Sequence, residues 1–260
     1  MPAWLVAGLN QMLTSLVAPR NQVCYNRFII TTIYRYQQNF TGEYMETNKE
    51  LQKKQNTIRF IEAARLLIDE IGLKKVSIRK IAEQAGFHNS TIYLYFKDID
   101  ELILLASLKH FNGYSVALAN QSRQKNSPYE SFLAIWEFFA QSAFEKPEIF
   151  YNFFFGKHSD NLTDVLERYY ELFPDEKTIY REDIRSMYFG RNIYERCHMI
   201  LNPLLEEPGV RLTEENLDLV NDVTVGYLKY LLEQKCQDPK IPAELLSKKL
   251  LSMIKYMIDA

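Results

Sequence analysis

At 260 residues, 47% hydrophobic and 25% charged, the chain has a globular composition that excludes wholesale disorder. Nine glycines and nine prolines are too few for the tight turns of an all-β chain and favour helices, and three widely spaced cysteines (Cys24, Cys197 and Cys236) argue against a disulfide framework or a four-ligand zinc site. The net charge of −2 divides unevenly: three arginines face one glutamate in 1–44, eleven basic residues face nine acidic ones in 45–111, and seventeen face twenty-three in 112–260. A mildly basic N-terminal part, which invites nucleic acid, thus precedes an acidic remainder.

The first segment is unlike the rest. Forty-two residues pass before the first acid, Glu43, and 23–40 sustains neither a helical nor a strand period. The longest apolar run, about Trp4 to Ala18, is shorter than the roughly 20 residues of a spanning helix and lacks a preceding basic segment, so no stable membrane insertion is expected. At Met45 the sequence turns charged and helix-forming, and the Gly42-Glu43 pair ahead of it can be encoded by a purine run like a bacterial ribosome-binding site. Residues 1–44 are therefore expected to be a non-native or disordered extension, with translation starting at Met45. The alternative is a segment lying on a membrane or partner, although it lacks the basic polar face of such helices.

From Asn56 the pattern sharpens. Ile58, Ile61, Ala64, Ile68 and Ile71, widened by Phe60, Ala63 and Leu67, predict a first helix closed by Gly72. Ser77 caps a second helix, with Val76 and Ile81 as its hydrophobic staple and Ile78, Ile81, Ala82 and Ala85 as its apolar face. Gly86 permits a sharp turn anchored by Phe87, and 88–96 makes a third, short helix. Asp98-x-x-Glu101 opens a fourth through Leu102, Leu105 and Leu108. Helix, glycine turn and short polar-aromatic helix over 77–96 spell a helix-turn-helix, whose second member enters the DNA major groove.

The spacing of Ala63-Ala64, Gly72, Ser77, Ile81-Ala82, Ala85-Gly86, Thr91-Ile92-Tyr93, Tyr95-Phe96-Lys97 and Glu101-Leu102 resembles the TetR family of bacterial transcriptional regulators over about 54–114. Ser77 and the amides of its helix start can hold a phosphate. Thr91, Tyr93 and Tyr95 offer hydroxyls to phosphates or base edges, and Lys97 a phosphate clamp. The resemblance implies the same contacts for Ser77, Thr91, Tyr93, Tyr95 and Lys97. Asn89 is the candidate base reader, since an amide pairs bidentately with adenine. Arg79 and Lys80 add backbone affinity, and His88 and Ser90 complete the candidate set. The family usually carries Ser or Thr where His88 stands, so either Asn89 caps a helix starting one residue later, or His88 touches DNA, or it is an exposed turn histidine. The reading helix has no Arg or Lys before Lys97, which removes bidentate guanine reading and calls for dimerisation.

Beyond 115, helices are predicted at 98–122 (continuing the fourth), 127–144, 147–155, 160–173, 176–203, 213–236 and 242–258, with no strand-like alternation; the fold class is all-α. The resemblance implies a ligand-binding and dimerisation domain over 115–260. The aromatic crowd at 111–155, including Phe132, Trp136, Phe139, Phe150 and Phe154, is either a bulky core or the wall of a cavity for an apolar or aromatic small molecule. Arg191, Glu195 and His198 could fix such a ligand's polar end or form a surface ion-pair set. Leu217, Val220, Val223, Tyr227, Leu228 and Leu231, with Leu245, Leu250, Ile254 and Met257, fit either a four-helix dimer interface or a buried core.

Enzyme motifs and metal spacings are missing: there is no GxSxG, P-loop, dinucleotide fingerprint or HExxH, and His88, His110, His158 and His198 are scattered. No catalytic residue, metal or cofactor is expected. The sequence predicts a cytoplasmic homodimeric regulator, in the family's manner a repressor, that leaves double-stranded operator DNA when a small-molecule effector binds. The alternatives are gating by a protein partner and an N-terminally membrane-associated sensor.

Overall fold

The computed structural model describes residues 48–111, 114, 127–177, 188 and 190–259. The chain divides into two compact units, 1–55 and 56–260. Of the first, 48–55 is helical with every side chain exposed. The expectations for 1–44, as an extension or a membrane-lying segment, fall outside the described residues.

In the second unit, α1 spans 56–71 and buries Phe60, Ile61, Ala64 and Ile68 along the predicted stripe. Gly72, at φ 78°, lets the chain turn into a short 3-10 helix, Leu73–Lys75. Helix α2, Ile78–Ala85, is capped by Ser77 and buries Ile81, Ala82 and Ala85. The reading helix, Asn89–Leu94, is wound as a 3-10 helix, a form that suits so short a piece. Helix α3, Ile99–Ser107, starts at Asp98, whose Oδ1 accepts the Glu101 N–H at 2.9 Å. Its buried residues, Leu102 to Ser107, cover every side, because it lies between the reading helices and the rest of the unit. It tightens into a 3-10 helix at Leu108–Phe111; its predicted extension to 122 lies mostly outside the described residues.

Helix α4, Pro128–Glu145, has the complete capping box: Glu130 N–H donates to Ser127 Oγ, and Ser127 N–H donates back to Glu130 Oε2. Then follow α5 (Pro147–Phe155), α6 (Leu162–Leu172), α7 (Ile193–Leu201), α8 (Leu217–Gln237) and α9 (Ala243–Ile258). The single helix expected over 176–203 is not formed. A 3-10 helix covers Pro174–Glu176, residues 190–192 are non-helical, and α7 starts afresh at Ile193. Gly190 disfavours helix, and the Asn192 side chain accepts the Glu195 N–H as an N-cap, so the chain restarts there.

Helix α9 packs on α4, and α8 packs on α5, α7 and α9. One buried apolar cluster runs from Phe60 to Ile258, so the reading helices and the C-terminal helices share a core through α3. The fold is all-α. Among the described residues there is no named strand, only an isolated bridge between Val210 and Asp259, and no helix is long and apolar enough to cross a membrane.

Candidate nucleic-acid interface and effector cavity

The turn between α2 and the reading helix is set by Gly86 at φ 76°. Its N–H bonds Glu83 O, and the Phe87 N–H bonds Ala82 O, closing a Schellman motif. Phe87 stacks on Phe60 at 4.7 Å, and the Arg59 guanidinium lies over its ring at 5.0 Å. Ile92 and Phe96 are buried, so the reading helix is pinned by its apolar side. Its opposite side is presented: Asn89 and Ser90 are exposed, Tyr93 is 58% exposed and Leu94 70%. Exposed apolar area of that size is unusual on so short a helix. Leu94, which sequence reading passed over, is suited to a thymine methyl group.

His88 is exposed, as one of the readings of the sequence has it, and Asn89 is not the cap. It is itself the N-cap, its Nδ1 lying 2.8 Å from Ser90 Oγ and 3.4 Å from Ser90 N, and Asn89 becomes the first residue of the helix. Tyr95 is half-buried; its ring packs on Phe60, and its hydroxyl accepts the Asn56 amide at 2.8 Å. It braces α1 against the reading helix. Thr91 is half-buried beside it, while Lys97 and Arg79 are exposed. Ser77 Oγ accepts the Lys80 N–H at 3.4 Å, and Lys80 Nζ turns back to Lys75 O at 3.0 Å. Lys74 is held by Glu148 at 2.9 Å and Cys236 O at 3.2 Å, away from the reading face.

The base of the reading helix is gripped from the C-terminal half. Arg168 on α6 donates to Tyr95 O at 2.8 Å and to Glu101 at 2.6 Å, and lies over the Phe96 ring. Asp98 receives Lys157 at 2.8 Å and His158 Nε2 at 2.9 Å. Burial would raise the Asp98 pKa, but Lys157, the Glu101 N–H and His158 outweigh it and hold the carboxyl well below the usual carboxylate range. Next to Arg168, Tyr169 meets Arg65, a residue of α1 only 4% exposed. Arg65 also pairs with Glu62 at 2.6 Å and Glu176 at 3.2 Å, and Glu176 accepts the Tyr169 hydroxyl. Two consecutive residues of α6 therefore hold both α1 and the reading helix.

Behind this junction lies a small cavity of about 30 Å³. Rings of Tyr114, Trp136, Phe139, Phe154 and Tyr188 wall it, and α7 closes it with Ile193, Arg196, Cys197 and Ile200. Of the aromatics singled out in the sequence, Trp136, Phe139 and Phe154 line it. Phe132 and Phe150 are buried behind them, Phe132 edge-on to Trp136 and Phe150 tilted against Phe111. Arg191 and His198 do not reach it. Arg191 is exposed in the break before α7, its N–H bound by Glu195, and His198 faces Asp218 at 3.6 Å on the surface. The buried cation at the cavity is Arg196, whose Nε donates to Gly190 O at 3.0 Å. The periodicity Ile193, Arg196, Cys197, Ile200 carried that signal. A continuous helix through Arg191 obscures it.

A glycine-turned pair of helices with a pinned, solvent-presented reading member is the helix-turn-helix of a DNA-binding protein. Residues 60–106 match the sequence profile described as bacterial regulatory proteins, tetR family. Over 84 residues the chain is 40% identical to the fatty acid metabolism regulator protein of Bacillus subtilis, covering 32% of this chain and 43% of that protein. Its fold resembles RolR in complex with resorcinol (TM-score 0.51, 22% identity, 78% of this chain and 89% of that one). It also resembles Thermus thermophilus FadR, a TetR-family repressor in complex with lauroyl-CoA (TM-score 0.51, 15% identity, 77% and 94%). The match to the tetR family thus covers residues 60–106, and the fold of these two proteins is shared over 77–78% of the chain.

Proposed function

We propose that the protein is a dimeric repressor that sets its reading helix in the major groove of operator DNA and is released by a small molecule bound among the C-terminal helices; it performs no catalysis. The observation that carries this reading is the reading helix itself, pinned by Ile92 and Phe96 with Asn89, Ser90, Tyr93 and Leu94 turned outward. Asn89 and Leu94 read base edges. Ser77, Arg79, Thr91, Tyr93 and Lys97 hold the phosphates on either side, with Lys80 joining once its ammonium leaves Lys75 O. Tyr95 contributes as a brace.

The second copy docks on the outer face of α8. Leu217, Val220, Leu228, Leu231, Leu250 and Ile254, which the sequence left between interface and core, are buried within one chain. Leu219, Val223, Gly226 and Tyr230 instead form an exposed stripe at heptad spacing, and Leu245 and Tyr256 of α9 are exposed as well. Such a stripe suits self-association of two α8–α9 pairs and places two reading helices on one duplex.

The cavity reaches the reading helix through hydrogen bonds. Arg196 holds Gly190 O; the carbonyl of the next residue, Arg191, accepts the Leu162 N–H at 2.7 Å; and α6, which starts at Leu162, carries Arg168 and Tyr169. An effector that shifts α7 shifts α6, and with it the base of the reading helix.

The test is binding to a duplex that the protein itself selects from a random pool, followed by fluorescence anisotropy. Tyr93→Ala should abolish retention while leaving the helical circular dichroism spectrum unchanged. Affinity should also fall steeply with salt. Undiminished binding by Tyr93→Ala removes Tyr93 from the interface.

A further inference from the structure

The reading helix carries a restricted chemistry. Between Phe87 and Phe96 there is no arginine, lysine, aspartate or glutamate. In the major groove, arginine and lysine pair with the O6 and N7 of guanine, and a carboxylate accepts from the N4 of cytosine. A G·C pair therefore finds neither of these partners on this helix. The nearby cations belong elsewhere: Arg79 and Lys80 lie on α2, the member that crosses the phosphate backbone, and Lys97 follows the reading helix.

What the helix does present suits A·T pairs. Asn89, its first residue, is exposed, and a carboxamide pairs bidentately with the N6 and N7 of adenine. Leu94, its last residue, is 70% exposed. The apolar feature that a major groove offers to such a side chain is the C5 methyl of thymine. Ser90 is engaged locally, its hydroxyl 2.8 Å from His88 Nδ1.

The helix geometry also sets the spacing of the two contacts. A 3-10 helix rises about 2.0 Å per residue, so Asn89 and Leu94 are separated by roughly 10 Å along its axis. Successive base pairs lie about 3.4 Å apart, so a helix laid along the groove spans about three steps between these side chains. Ile92 and Phe96 anchor the helix in the core, which keeps that spacing fixed. We propose that each operator half-site presents an adenine to Asn89 and, about three base pairs away, a thymine methyl to Leu94, with no guanine read by this helix. The proposal rests on the DNA-binding reading above and specifies which bases that reading recognises.

The test takes the duplex that the full-length protein selects from a random pool and alters single groups of its bases. Uracil in place of each thymine in turn removes one methyl group, and 7-deazaadenine in place of each adenine removes one N7 acceptor. At one thymine, uracil should weaken wild-type binding about three- to fivefold, as loss of one buried methyl requires, and leave Leu94→Ala unaffected. At an adenine about three base pairs away, 7-deazaadenine should weaken the wild type about tenfold and leave Asn89→Ala unaffected. Both side chains are exposed, so both variants should keep the wild-type helical circular dichroism spectrum, and the altered duplexes also probe the wild type alone. Equal losses in the wild type and the matching variant, or no thymine or adenine whose alteration weakens binding, would overturn the base assignment. So would a guanine in the selected half-site whose preference disappears in His88→Ala, because the histidine would then be the reader. Each of these results leaves the DNA-binding reading standing. Failure to enrich any duplex refutes that reading and the proposal together.

Discussion

Replacing Arg168 with methionine isolates the joint between α6 and the reading helix. The substitution keeps an unbranched apolar stem and removes the guanidinium, and with it the bonds to Tyr95 O at 2.8 Å and Glu101 at 2.6 Å. Charge-assisted hydrogen bonds contribute about 1.5–3 kcal/mol when buried. The Arg168 side chain is 34% exposed and that of Glu101 12%, so solvent screening lowers each to about 1 kcal/mol. The contact with the Phe96 ring adds about 0.5 kcal/mol. The local loss is thus about 2–3 kcal/mol, which corresponds to a roughly 30- to 150-fold fall in hydrogen-exchange protection. That fall should be confined to amides of 89–97, while those of α8, anchored in the core by Val225, Leu228 and Leu232, keep their protection. Exchange mass spectrometry reads both in one experiment. The same variant should still bind the selected duplex and respond less to effector, because the path from α7 to the reading helix is cut. Unchanged protection at 89–97 together with a full effector response would refute the reasoning.

Other consequences can be measured on the same protein. Gly86→Ala should cost about 1–2 kcal/mol in urea denaturation: the new Cβ meets only Arg59 Nη2, at an ordinary 3.7 Å, so the cost is the left-handed backbone alone, and Gly86→Asn should recover part of it. Asp98→Asn should destabilise at neutral pH. The folded-state pKa of Asp98 lies below its unfolded value, so its contribution is fully present above about pH 4 and is lost as pH falls through the folded value. The gap between variant and wild type should therefore close on acidification, and a gap that widens contradicts the ion pairs with Lys157 and His158. Leu219→Glu combined with Tyr230→Glu should convert the proposed dimer to monomer in sedimentation equilibrium without loss of helix, since both side chains lie outside the chain's own core. A persistent dimer would move the interface away from α8.

Local chemistry made the reading half legible. Gly72, Ser77, Gly86, Asp98 and Ser127 each impose a cap or a positive φ that depends on a few neighbouring residues, and each does so where the sequence placed it. The apolar stripes of α1 and α2 were readable for the same reason, because burial of one face imposes a 3.6-residue period. The recognition element was located, but not its details. That Tyr95 would turn its hydroxyl to Asn56 depends on α1 arriving from another direction. The break at 190–192 leaves little local trace, because glycine and asparagine break a helix only weakly on their own and the break is held by the Leu162 N–H on Arg191 O and by Arg196 on Gly190 O.

What the sequence by itself determined was an all-α chain with a helix-turn-helix and the positions of most helix starts, since those follow from spacing along one strand of chain. Tertiary structure alone decided which of several apolar stripes became core and which remained as the outer face of α8. It also decided which arginines were drawn inward. Arg65, Arg168 and Arg196 look like surface charges in a helix, and each becomes a joint only because another helix brings it a carbonyl, a carboxylate or an aromatic ring. A buried charge is tolerated where its partners converge, and convergence of distant segments is a property that no local pattern records.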